Sequence, residues 1–142
     1  MTKLTLQQAN RIIEGALAKA REMKLKPLGV VVLDESGHLK AAQREDAASM
    51  FRIEIATGKA WGAVAMGASS RTLAARAKDN PNFFVTLAAT AGGKFLPQTG
   101  AVLIRNASGE LLGAAGASGA TGEEDEAVCI HGIEHAGLVA ES

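Results

Sequence analysis

A chain of 142 residues with 15 basic and 15 acidic side chains carries no net charge, so it shows no electrostatic footprint for nucleic acid or anionic lipid. Its one cysteine, Cys129, excludes an internal disulfide, and no apolar run approaches the roughly 18 to 20 residues of a membrane span. At this length the expectation is a single domain over residues 1–142 in a cytoplasmic, reducing setting, opening on MTKLTLQQANRIIEGALAKA, an amphipathic pattern without the apolar core of a secretory signal.

In chain order, helix one runs through LQQANRIIEGALAKAREM: Leu6, Ala9, Ile12, Ile13, Ala16, Leu17 and Ala20 recur at helical spacing, and Thr5 with Gln8 makes a capping box. KPLGVVVLDESGHLKAAQRED reads as a β-hairpin turning on Asp34, Ser36 and Gly37, its second run extending from Leu39 to Arg44. From Ser49 to Gly67, a stripe of Met50, Ile53, Ala56, Ala60, Ala63 and Val64 predicts a second long helix with Ser49 as N-cap and Gly67 as its stop. Ser69 or Ser70 then caps a short helix, RTLAARAKD, ended by Pro81. NFFVTLAATAGGKFLPQTG reads as a turn of helix, a break at Gly92 and Gly93, and a short extended piece stopped by Pro97, together a partly ordered binding loop. AVLIRNASGELLGAAGASG is a second hairpin around Asn106, Ser108 and Gly109, and a final helix starts near Thr121. This order implies an antiparallel sheet of about five strands with helices on its faces. With 16 glycines and aromatics at 4%, the elements are expected to pack through small side chains.

The stretch GAAGASGATGEEDEAVCIHGIEH, from Gly113 to His135, holds most of the chemistry-bearing residues. Its glycines resemble a phosphate cradle, but Glu123, Glu124, Asp125 and Glu126 would crowd the helix start with negative charge and repel an anion there. Thr121 with Glu124 three residues on completes a capping box instead. HGIEH matches the H-x-x-E-H spacing of inverted zinc peptidases, yet that chemistry needs a third ligand from further along, and only seven residues follow His135. On a helix, Val128, Cys129, Gly132, Ile133, Ala136 and Val139 form the core stripe, with His131 and His135 at its edge. They read as surface or subunit-interface histidines or as ligands of a metal or haem. Asp125 faces the sheet and needs a cation or amide donors, for which Arg44, Lys59 and the helix's own amides are candidates. Cys129 reads as an inert core thiol.

Taken in order and spacing, VVVLDESGHLKAAQREDA, ATGKAWGAV and GELLGAAGASGATGEEDEAVCIHGIE resemble the GlcG/HbpS family, which includes the C-terminal domain of PduO-type proteins. The most specific parts are Asp34, Gly37, Arg44 and Asp46, then Lys59 and Ala60, then the glycine stretch leading into Glu124, Asp125 and Glu126. The resemblance implies a profilin-like α/β/α fold, an α+β arrangement with a five-stranded antiparallel sheet, and a homo-oligomer such as an octamer. It also implies a haem or other tetrapyrrole as ligand, with haem handling or degradation, or a corrinoid, as the family's roles, and a setting in catabolic operons. Lys94 to Thr99 form a distinct loop where many relatives run more directly into the next strand.

For haem, the axial candidates are His131, His135 and His38, with Met50 and Met66 weaker, and the propionate partners are Arg44, Lys59 or Lys94. The competing reading is a small-molecule enzyme or accessory protein in which Arg44, Asp46, Lys59 and Asp125 converge at one sheet edge to hold an organic acid and move a proton. A structural salt-bridge network would account for the same four residues. No Ser, His and Asp set has the spacing of a nucleophilic triad.

Overall fold

The computed structural model describes residues 2–142. Helix α1 (Leu6–Glu22) begins at the expected capping box, in which the Gln8 N–H donates to the Thr5 hydroxyl and the Thr5 N–H to the Gln8 carboxamide, both at 3.0 Å. Strands β1 (Gly29–Asp34) and β2 (Leu39–Arg44) form the first hairpin. Asp34 sets its turn, because the carboxylate accepts the N–H groups of Ser36 and His38. Helix α2 (Phe51–Met66) stops at Gly67, whose left-handed backbone (φ 64°) is the conformation glycine adopts without strain. Ser49 does not cap it: Met50 holds the N-cap position with no side-chain hydrogen bond, and at 76% exposure it leaves the core stripe.

Helix α3 (Ser70–Asp79) ends as expected before Pro81, but that proline then starts a full helix α4 (Pro81–Thr90) where a single turn was expected. Proline lacks the N–H that a first helical residue leaves unpaired in any case. The segment after Gly93 contains no strand and is anchored rather than loose. Phe95 is buried, stacks on Phe84 at 5.8 Å between ring centroids, and fills the space left open by Gly62, while the Leu96 N–H donates to the Gly58 carbonyl. Strands β3 (Ala101–Arg105) and β4 (Leu111–Ser118) make the second hairpin, and α5 (Gly122–His135) begins at the Thr121–Glu124 capping box. The fifth strand is β5 (Val139–Glu141), beyond α5. Val139 therefore belongs to a strand and not to the helical stripe, and the Arg105–Glu141 ion pair ties β5 to β3.

All pairings are antiparallel in the order β2-β1-β4-β3-β5. Strand alternation splits the core between two faces. Val30, Val32, Val102 and Ile104 pack with α1 and α5, while Val31, Leu33, Ala101 and Leu103 pack with α2. The result is the three-layer α/β/α, α+β fold with a five-stranded antiparallel sheet that the sequence implied. Small residues set the layer spacing. A Cβ on Gly116 of β4 would lie 2.4 Å from the Ala56 carbonyl of α2, and one on Gly132 of α5 would lie 2.2 Å from the Ile12 carbonyl of α1.

Candidate functional site

Three of the four carboxylates at the start of α5 are committed to separate partners. Glu124 closes the capping box, while Glu126, itself buried, takes the Arg71 guanidinium of α3 through a forked set of hydrogen bonds. Asp125 turns inward: one oxygen accepts from the Lys59 ammonium at 3.2 Å and the other from the Ala120 N–H at 3.1 Å. Glu123 stays exposed. The carboxylates keep the helix start negatively charged, which disfavours a phosphate there.

The Lys59–Asp125 pair forms the floor of a cleft of about 520 Å³ where α2, the segment after Phe95, the end of β4 and the start of α5 meet. Both side chains are almost fully buried, and Lys59 also donates to the Ala117 carbonyl at 3.0 Å. Burial holds the Asp125 carboxyl above the ordinary aspartate range, against the opposing pull of Lys59, the Ala120 N–H and Arg52. Arg52, two helical turns before Lys59 on α2, lines the same cleft and donates to the Ser118 hydroxyl at 3.2 Å.

A second concavity of about 760 Å³ lies between the β1–β2 hairpin and the other flank of α2. Leu33, Leu39, Ile53 and Trp61 make its walls largely apolar, with His38 and Lys94 among its polar lining residues. Its geometry follows from the hairpin. The Asp34 turn holds the backbone on both sides of His38, and Gly37 lies so close to Trp61 that a Cβ there would stand 3.2 Å from the indole. The Lys94 ammonium sits 5.9 Å from the Trp61 ring centroid. An apolar slot, one imidazole and one cation are the groups that haem binding requires, so these residues fit that cofactor.

The structure separates several residues that the sequence grouped. Arg44 is exposed and donates to the Ala48 carbonyl, and with Asp46 it lines a separate concavity of about 420 Å³ beside Arg21, Pro27 and Glu45. Arg44 and Asp46 thus lie apart from the Lys59–Asp125 cleft, and the countercharge of Asp125 is Lys59 and not Arg44. His131 and His135 are both exposed on α5. The His135 ring lies over Gly15 of α1, with its Nε2 3.9 Å from Glu14. Among the described residues no three His, Cys, Asp or Glu side chains gather as a metal group. Cys129 is buried with its thiol pushed far up by burial, as an inert core thiol should be. Arg52 went unremarked in the sequence, and Ser118 and Trp61, though they lie in the stretches that carry the resemblance, were given no role there. A signal for Arg52 was present, since seven residues separate it from Lys59 and two helical turns bring both to one face.

Residues 4–134 match the model of a family described as haem degrading protein HbpS-like. Among solved structures, the chain is similar to PduOC in a complex with haem, at TM-score 0.86 and 23% identity over 99% of this chain and 100% of that one. Klebsiella pneumoniae protein ORFY aligns at TM-score 0.86 and 21% identity over 96% and 93% of the two chains. HbpS aligns at TM-score 0.80 and 27% identity over 94% and 90%. Among curated proteins none matches the chain.

Proposed function

The chain belongs to the HbpS-like family, and from that membership we propose that it binds haem in the slot between the first hairpin and α2, with His38 as axial ligand and Lys94 as partner of a propionate. The observation that carries this reading is placement. His38 is among the residues that line the largely apolar slot, which neither His131 nor His135 does. Trp61, Leu39 and Ile53 offer flat and aliphatic surface to a macrocycle, and Lys94 meets negative charge at the rim. Bound haem would supply the redox and ligand-exchange chemistry of its iron. What the chain's own residues would do is cover the macrocycle with apolar surface, hold the His38 backbone in place through the Asp34 turn, and neutralise a carboxylate. His131 and His135 are the competing ligands; all three histidines are exposed, and the two on α5 would suit haem held against a second surface.

Hemin titration of the wild type, His38→Ala, His131→Ala and His135→Ala, followed by visible absorption, separates these assignments. The expected result is a saturable Soret shift in the wild type and in both α5 variants, with the shift lost or moved in His38→Ala. Loss in His131→Ala or His135→Ala alone would return the ligand to α5. No saturable binding by the wild type would remove the haem reading.

A further inference from the structure

The cleft floored by Lys59 and Asp125 shares no lining residue with the haem slot, so what it binds is a separate question. Its cations are incompletely used. An ammonium has three N–H groups and a guanidinium five. Lys59 directs two at the Ala117 carbonyl and Asp125, and Arg52 directs one at Ser118. Among the described residues the remaining donors of both side chains have no hydrogen-bond partner. Two cations on one helix face, separated along the axis by roughly 10 Å, flank the apolar Ile55, with Leu96 also in the lining. Thr99 and Gln98 add further polar groups.

We propose that this cleft is a binding site for a small organic monocarboxylate carrying a second oxygen acceptor a few carbons from its carboxyl group. Arg52 and the Ser118 hydroxyl take the carboxylate, the free N–H of Lys59 takes the second oxygen, and Ile55 and Leu96 cover the carbons between. The charge count selects this ligand class. Arg52 and Lys59 face Glu123 and Asp125 across the cleft, so the lining is formally neutral. With Asp125 paired to Lys59, only Arg52 is left for an incoming anion. Against this lining a single carboxylate leaves one uncompensated negative charge, that of the exposed Glu123, whereas a phosphate dianion leaves two. Arg52 would therefore be a binding residue that neither motif spacing nor the family resemblance brought forward.

Calorimetric titration tests the proposal with four probes: levulinate, which is a keto acid, valerate, the neutral ketone of matching length, and inorganic phosphate. Levulinate should bind saturably and more tightly than valerate, with the neutral ketone and phosphate giving no saturable signal. Arg52→Gln should weaken levulinate roughly tenfold to a hundredfold, the loss of a charge-assisted hydrogen bond, without lowering the melting temperature. Should Arg52→Gln fold poorly, Arg52→Lys keeps the charge and loses the fork, and should still bind more weakly than the wild type. His38→Ala should leave levulinate binding unchanged, which separates this site from the haem reading. No saturable binding of either acid by the wild type, equal binding by the folded Arg52 variant, or tighter binding of phosphate would each overturn the proposal.

Discussion

At the scale of single residues, Lys59 and Asp125 are the pair on which the fold and the cleft both depend. Their side chains are 7% and 2% exposed, so each charge has lost most of its hydration and depends on the other. Removing the cation should be the costlier change. Lys59→Met leaves a desolvated carboxylate, and is expected to lower stability by about 3 to 5 kcal/mol at neutral pH. Asp125→Asn should cost less, because burial already opposes the ionised carboxyl and an amide oxygen can still accept from Ala120 and Lys59. The double variant, with both charges gone, should recover much of the Lys59→Met loss. The pH dependence follows from the direction of the shift. The folded pKa of Asp125 lies above its ordinary value of 3.8, so the folded state holds the proton more tightly than the unfolded one. The stabilisation from that proton is complete below 3.8 and is lost as pH rises through the raised value. The Lys59→Met deficit should therefore shrink on acidification, as Asp125 takes up its proton and no longer needs a countercharge. Urea denaturation at neutral and mildly acidic pH measures this, and a deficit that is under about 1 kcal/mol, the level of exposed pairs, or is independent of pH would show that the pair is not coupled in this way.

At the scale of elements, the contact between α1 and α5 is made by backbone meeting backbone. A Cβ at Gly132 would lie 2.2 Å from the Ile12 carbonyl and 3.1 Å from the Ala16 nitrogen, so Gly132→Ala requires the two helices to separate. Helix propensity alone favours alanine over glycine by about 1 kcal/mol, whereas overpacking costs about 1 to 3 kcal/mol or more. The two effects have opposite signs, and packing should win because the obstructing atoms are backbone that cannot rotate away. Thermal melts of Gly132→Ala should thus show a lower midpoint, and a higher one would mean that the helices have slack. The two helices were legible one by one, whereas their contact was not. The Ala and Gly positions of α5 follow helical periodicity, but the location of the His135 ring over Gly15 follows only from how closely α1 approaches.

At the scale of the whole molecule, the small-residue faces of α2 and α5 are spent inside the chain. Ala56, Ala60 and Ala63 pack on the sheet, and Gly132 packs on α1. The apolar surface that remains comes from large side chains, among them Leu39, Met50, Phe51, Phe83 and Val85, each more than half exposed. Edge strand β2 adds unpaired backbone groups beside them. Self-association is accordingly expected to use these residues rather than the alanine faces. Sedimentation of the wild type should give a multiple of 14.6 kDa, and Phe51→Asp should shift it toward the single chain. A wild-type monomer at micromolar concentration would sink this expectation.

Local signals settled what depends on neighbours in sequence. Both capping boxes, both hairpin turns and the stop at Gly67 follow from side chains that bond their own backbone or from the conformational freedom of one glycine. The layered α+β order followed from hydrophobic period in the same way. Element identity failed where tertiary contacts outweigh local pattern. PNFFVTLAAT becomes a full helix on burial of Phe84, and Val139 to Glu141 become a strand because β3 offers an open edge and Arg105 a countercharge. The candidate site divides along the same line. Asp125 could be marked as a carboxylate on a sheet-facing stripe and Lys59 as one candidate partner, but only the convergence of α2 and the start of α5, from opposite faces of the sheet, at the end of β4 decides that they meet, that Arg44 does not join them, and that Arg52 does. Side-chain type and period are properties of a short stretch of chain, whereas the distance between residues 66 positions apart is set by how the layers pack.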